Sequence, residues 1–358
     1  MGVAIVVHRN DLADARILDM PARPLQDGEI RIRIGSLALT ANNVSFGVSG
    51  HLGGYWCYFP MPEPDGIIPA WGFATISESR VPELAEGTEL WGFLPMAQDW
   101  ILQPGEVAAD GFLDRSPHRA GLPQLYNWYL RTEADAPEVR AIGDARSLFF
   151  PLLLTGFILA DWLREQDFRG AEQVVIASAS SKTGLGLAHL VPDTIRRRVG
   201  LTSPVNRYFL EKFGCFDQIT TYDQLETIDA SLPTLFADMA GSIGITARLH
   251  KHFGDNLKAS IAVGLTHWED TGTMGPLPGP QPERFMVPDQ IARREAEWGP
   301  GELRHRADAA CIAIFERIRD RVNIRRVHGP EQVRKAWVDL VKGRIPPAWG
   351  LVCDFGEG

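Results

Sequence analysis

The chain has 358 residues, 45% of them hydrophobic and 23% charged, with a formal net charge of −9. That length exceeds one ordinary core and suits two domains of soluble, globular composition. The acidic balance argues against a general grip on nucleic acid or on an anionic membrane.

Local basic runs, Arg196-Arg197-Arg198 and Arg325-Arg326, are short, flanked by acids, and read as solvated faces. The opening MGVAIVVHRNDL lacks the basic start, long apolar segment and cleavage site of a signal peptide. Val6 stands where a myristoylation motif needs Ser or Thr. Cys57, Cys215, Cys311 and Cys353 are far apart, with no CxxC pair to suggest structural zinc or a redox couple. A reduced, cytoplasmic protein is the expectation.

In chain order, the first third reads as β-rich. Ile30 to Ile34 alternates apolar and charged residues, the period of a half-buried strand. Ile68 to Ile76 and Leu90 to Leu94 are further strands. Around them lies an aromatic cluster, Tyr55, Trp56, Tyr58, Phe59 and Trp71, among prolines that oppose long helices. Leu148 to Leu163 is the longest apolar stretch; Pro151, Gly156 and Asp161 interrupt it, and it reads as a buried helix rather than a span of about 20 apolar residues. Strands and helices then alternate. Val174 to Ala179 is a strand, Gly184 to Leu190 a helix, Val199 to Thr202 a strand and Arg207 to Phe213 a helix. Strands follow at Gln218 to Tyr222, Leu235 to Asp238 and Ser260 to Gly264. This rhythm predicts a mostly parallel sheet. A polar, helix-prone stretch reaches about Arg319, and the tail reads helix (Pro330 to Lys342), turn, then strand (Leu351 to Phe355).

Residues 174–188, VVIASASSKTGLGLA, carry the most information. A strand opens into a small-residue loop and then a helix, where backbone amides meet a pyrophosphate closely. The usual GxGxxG spacing is absent; Ser180, Ser181 and Thr183 add hydroxyls and Lys182 a positive charge. Gly186 belongs to this pyrophosphate-binding loop; the less favoured alternative is that Gly184 and Gly186 merely permit close helix–sheet packing. A site for NAD places an acid about 20 residues beyond the glycines. Here Ser203, Asn206 and Arg207 stand in that stretch with no acid before Glu211, which favours a 2′-phosphate and hence NADP(H). Arg207 also reads as an exposed helix residue.

The order of segments resembles the zinc-free, quinone oxidoreductase and enoyl reductase side of the medium-chain dehydrogenase/reductase superfamily. ALTANN (38–43) lies where those enzymes carry a GLNPxD-like string, so Thr40 and Asn43 take the Asn and Asp places. IPAWGFATI (68–76) resembles the PGxexxG strand pair. FGCFDQITTY (213–222) resembles the LGAdxvinY stretch, with Tyr222 near the adenosine phosphate. Residues 327–355 resemble the closing helix–GK–strand. The resemblance implies an α/β chain, with a Rossmann-type doubly wound parallel sheet at 138–278 and a β-rich GroES-like substrate domain at 1–137 and 279–358. It also implies a homodimer.

In that architecture the nicotinamide lies beyond the carboxyl ends of the parallel strands, which nominates Gly264, Thr266 and His267. Thr155 either faces the ring or bonds back to its own helix. Hydride transfer without a metal needs a donor for the developing oxyanion. Tyr58 and His267 are the first choices, with Asn43 and Thr40 positioning; His267 is equally suited to a structural role beside Trp268. The Tyr55–Phe59 cluster fits a pocket lining, core or a dimer contact. No metal ligand set is visible, and His250 and His252, two apart, point to different sides and read as surface residues.

The leading expectation is an NADPH-dependent oxidoreductase reducing a ketone, quinone or α,β-unsaturated carbonyl without zinc. Carbon–carbon bond cleavage or hydration beside a retained nucleotide, or a non-catalytic NADP(H) sensor, are the alternatives. The partner is a small molecule.

Overall fold

The computed structural model describes residues 2–239, 241–264 and 275–356. The chain forms two compact units, Met1–Leu148 with Asn323–Gly358, and Phe149–Val322. The first begins with β1 (Gly2–His8), β2 (Asp11–Met20), β3 (Ile30–Leu39), α1 (Ala41–Val48), β4 (Asp65–Gly66), β5 (Pro69–Ser79), β6 (Glu89–Pro95) and β7 (Asp99–Leu102). It continues with β8 (Pro104–Gly105), β9 (Gly111–Asp114), β10 (Trp128–Arg131) and α2 (Pro137–Ile142). Helix α3 (Ala145–Glu165) carries the chain into the second unit. There follow β11 (Gln173–Ala177), α4 (Lys182–Leu190), β12 (Arg197–Thr202), α5 (Pro204–Glu211), β13 (Gln218–Thr221), β14 (Thr234–Asp238) and α6 (Ile243–Phe253). Then come β15 (Leu257–Ala262), β16 (Glu283–Arg284), α7 (Val287–Trp298) and α8 (Glu302–Ile318). The chain returns through β17 (Asn323–His328), α9 (Pro330–Val341) and β18 (Trp349–Asp354) to complete the first unit.

The first unit is built on a three-stranded sheet, β2-β1-β4, and a nine-stranded sheet ordered β17-β18-β3-β5-β6-β10-β9-β8, with β7 also on β3. In β3 the alternation works as read: Ile30, Ile32 and Ile34 are buried, while Arg31 and Arg33 face outward to Glu78 and Asp99. The aromatic cluster is core. Trp71 and Trp91 stack at 4.6 Å, and Tyr58, Phe93 and Tyr126 pack edge-on or tilted around them.

The second unit has one parallel sheet ordered β13-β12-β11-β14-β15-β16. Counted from β11, that is the 3-2-1-4-5-6 order of a Rossmann fold, with its switch point between β11 and β14. Gly156 on α3 lets α4 approach: a Cβ there would lie 2.8 Å from the Leu187 amide and 2.9 Å from the Gly186 carbonyl carbon.

The structure shifts several expected elements. The unit boundaries fall at 148/149 and 322/323, where the sequence reading put domain boundaries at 137/138 and 278/279. Helices α7 and α8 join the second unit because Arg294 binds Asp161 and Glu165 of α3, and Phe315 packs 5.2 Å from Phe149. Strand β17 was not anticipated. Asn323, Ile324, Arg325 and Arg326 are all exposed, so no apolar period marks them; parallel pairing with β18 makes the strand. Helix α3 contains Pro151 without ending there and is long and apolar enough to cross a membrane by length and composition alone, yet most of its apolar stretch is buried within the protein. His250 corrects the surface reading: it is fully buried, its ring nitrogens 2.8 Å from the Pro278 carbonyl oxygen and 2.9 Å from Ser260 Oγ.

Candidate functional site

Parallel register aligns the carboxyl ends of the central strands, Ala177 lying beside Leu201 and Asp238. The chain leaves β11 through Ser178, whose φ of +50° is the left-handed conformation usually given to glycine. The Ser178 amide donates to Tyr222 Oη at 2.9 Å, and the Ala179 amide to the Leu201 carbonyl at 3.1 Å. Ser181 caps α4, its Oγ accepting from the Gly184 amide at 3.0 Å. The amides of Ser180, Lys182 and Thr183 meet no acceptor among the described residues. Three free donors at the positive end of a helix form an anion cradle.

Lys182 adds a cation to it. Its Nζ lies 5.6 Å from the Phe149 ring centroid and makes no hydrogen bond or ion pair with the described residues. Burial holds the ammonium down at about 8. A desolvated cation without a counter-ion is costly, and an anionic ligand is what relieves it.

The other expected cofactor residues are placed as follows. Ser180 is buried and its Oγ accepts from Thr202 Oγ1 at 3.4 Å. Thr183 lies in the first turn of α4 and Gly186 faces Gly156, so Gly186 serves helix packing. Ser203 is the N-cap of α5 with no side-chain cap bond, Pro204 taking the first helical position. Asn206 follows in that first turn. Arg207 is half-exposed and bonded to Glu211 at 3.1 Å, the solvated arrangement. Thr155 Oγ1 donates to the Pro151 carbonyl at 3.0 Å, bonding back to its own helix. Tyr222 is brought to the loop. Gly264 closes the end of β15, where a Cβ would lie 2.1 Å from the Met239 carbonyl oxygen. Thr266 and His267 lie outside the described residues.

Asp238 escaped the sequence reading. Its carboxylate accepts from the Gly241 amide at 3.0 Å and from Thr246 Oγ1 at 3.2 Å, while its carbonyl takes the amides of Val263 and Gly264. One residue thereby fixes two loops at the switch point. The signal was an acid ending a predicted apolar strand three residues before a glycine.

In the first unit, Asn43 closes a helix cap: its Oδ1 accepts from the Thr40 amide at 2.7 Å and Thr40 Oγ1 at 3.1 Å, and its Nδ2 donates to the Pro69 carbonyl at 2.9 Å. Both side chains are engaged in folding α1. Tyr58 is fully buried, with Arg119 5.5 Å from its ring centroid, and its hydroxyl has no partner among the described residues. Burial pushes that hydroxyl well above its ordinary range. A proton donor must reach its acceptor, and Tyr58 here belongs to the core. Arg119 is held 3.0 Å from Asp114, both side chains 1% exposed.

The two-unit architecture, a parallel six-stranded sheet and a β-rich unit completed by the C-terminal segment, is shared with several solved oxidoreductase structures. CurA from Vibrio vulnificus in complex with NADPH superposes with a TM-score of 0.63 at 12% identity, covering 99% of this chain and 100% of that one. The quinone oxidoreductase from Coxiella burnetii gives 0.55 at 13%, covering 99% of each chain. The yhdH oxidoreductase from Salmonella enterica in complex with NADP gives 0.52 at 14%, covering 99% of this chain and 100% of that one. No curated protein matches by sequence. By sequence the chain belongs to the family described as "Protein of unknown function (DUF2855)", whose family model matches residues 37–346.

Proposed function

We propose that this chain is an NADP(H)-dependent oxidoreductase that reduces a ketone, quinone or α,β-unsaturated carbonyl without zinc. The observation that carries the reading is the unpaired Lys182 ammonium beside the free amides of Ser180, Lys182 and Thr183. The fold supports it, since neighbours of the same architecture are described as NADPH or NADP complexes. The loop amides and Lys182 bind the pyrophosphate, and Tyr222 holds Ser178 in its left-handed shape. Ser203 Oγ, the first-turn amides of α5 and Arg207, released from Glu211, receive the 2′-phosphate. Gly264 shapes the nicotinamide end. When bound, NADPH would supply a hydride equivalent for an electrophilic carbon, and His267 would be the residue to provide the balancing proton. A homodimer in the cytoplasm is part of the same reading.

Titration calorimetry with NADPH and NADH tests it, followed by NADPH absorbance on adding enones and quinones. Expected are tighter binding of NADPH than of NADH, a weakening of NADPH binding by about 10- to 100-fold in Lys182→Met, and substrate-dependent oxidation. Absence of binding by either dinucleotide overturns the reading, and substrate loss at constant absorbance moves the protein to non-redox chemistry.

A further inference from the structure

A cavity lies in the Phe149–Val322 unit at the ends of the parallel strands opposite the β11–α4 loop. It has a volume of about 370 Å³ and is lined by Arg164, Asp167, Phe168, Pro192, Thr194 and Ile195. Its wall is a left-handed turn between α3 and β11: Asp167, Phe168 and Arg169 have φ of 47°, 47° and 57°, and Gly170 follows at 71°. Three consecutive non-glycine residues in this region are rare, because each crowds its Cβ against the backbone. Such strain persists only where surroundings enforce it, and it gathers at ligand sites. Here Phe168 is buried at 3% exposure, and Arg169 is held by Glu283 at 3.0 Å and by the Trp162 ring.

The turn has a chemical effect. Arg164 and Asp167 are three residues apart, a spacing at which a right-handed helix brings opposite charges together. The left-handed turn prevents this, and neither side chain has an ion pair among the described residues. Arg164 is steadied by donating to the Leu190 carbonyl at 3.3 Å, at the end of α4. A guanidinium and a carboxylate are thus held apart on the rim of a cleft whose floor is Phe168, Pro192 and Ile195. The volume lies in the range of small-molecule sites.

We propose that this cleft binds a zwitterion with an apolar side chain, of the α-amino acid class. Arg164 receives the ligand carboxylate, Asp167 and the negative end of α4 receive its ammonium, and the apolar floor takes its side chain. Helix α4 runs from the cleft to the loop at Lys182, so occupancy bears on the nucleotide site through one rigid element. The site needs no dinucleotide, and its test stands apart from that of the oxidoreductase reading.

Two-dimensional amide NMR and thermal shift on the full chain, titrated with L-leucine and L-phenylalanine, provide the experiment. 4-Methylpentanoate and isopentylamine, each lacking one charge of leucine, are the controls. Expected are saturable shifts at Arg164–Ala171 and Pro192–Ile195 with the amino acids. Binding should weaken about tenfold or more in Arg164→Met and in Asp167→Asn, or when either ligand charge is removed. Circular dichroism shows whether each variant folds, and Asp167, being exposed, gives the safer one. Equal binding of 4-methylpentanoate overturns the zwitterion assignment; no saturable shift with any probe overturns the site.

Discussion

Lys182 pays for its position in the apo protein. It titrates near 8 against an ordinary 10.5, so the unfolded chain binds more protons between those values and stability rises with pH across that window. Below 8 the covered charge is fully destabilising. Lys182→Met should therefore stabilise the ligand-free protein at pH 7 by roughly 1–3 kcal/mol, at about 2–4 °C in Tm per kcal/mol. The difference should vanish above pH 10.5, and a pH series of melting curves checks it. The same substitution should weaken NADPH about 10- to 100-fold, the worth of a charge-assisted bond. An anion raises the lysine's affinity for its proton, so NADPH affinity should fall as pH rises through 8, with proton uptake measurable by calorimetry in buffers of different ionisation enthalpy. A flat pH profile would remove Lys182 from the phosphate site.

Among elements, the α3–α4 crossing and the loop between β11 and α4 decide the second unit. Gly156→Ala forces a methyl to 2.8 Å from the Leu187 amide, which should cost about 1–3 kcal/mol by overpacking. Ser178→Gly should do the reverse, stabilising by about 0.5–1 kcal/mol as the left-handed strain is relieved; denaturant melts of both variants give the signs. These two positions show what the sequence discloses. Strand–loop–helix order is written in Val174 to Leu190, and Ile30 to Ile34 announces its strand, because burial leaves a period there. Ser178 hides its conformation, since its neighbours rather than its own preference hold φ positive. Thr155 and Gly186 are ambiguous in sequence because a hydroxyl and a glycine serve packing as well as ligands, and the fold commits both to packing. Tyr58 carries the composition of a catalytic tyrosine, and only three-dimensional contacts reveal that Phe93, Tyr126 and Arg119 enclose it.

At the scale of the whole molecule, the second unit is one continuous stretch and the first is not. A fragment spanning Gly143–Val322, which keeps α3 whole, should fold alone and bind NADPH within about tenfold of the full chain, since all residues assigned to the phosphates lie inside it. Circular dichroism and calorimetry on that fragment check the point. The boundary at 322/323 was not legible because the helices preceding it are polar on their outer faces, like those of the tail. Arg294 decides their allegiance through Asp161 and Glu165 of α3.

The first unit's largest sheet has β18 against β3, and Trp337 of α9 donates its indole N–H to the Leu12 carbonyl at 2.8 Å. During synthesis, β3 therefore leaves the ribosome long before its neighbour exists. The bare edge and the vacancy destined for Trp337 must wait while the whole second unit is translated, which can fold in the meantime. Chaperone dependence should accordingly concentrate in the N-terminal segment, and a premature stop near Val322 should yield a soluble-looking nucleotide module tethered to an aggregation-prone half sheet.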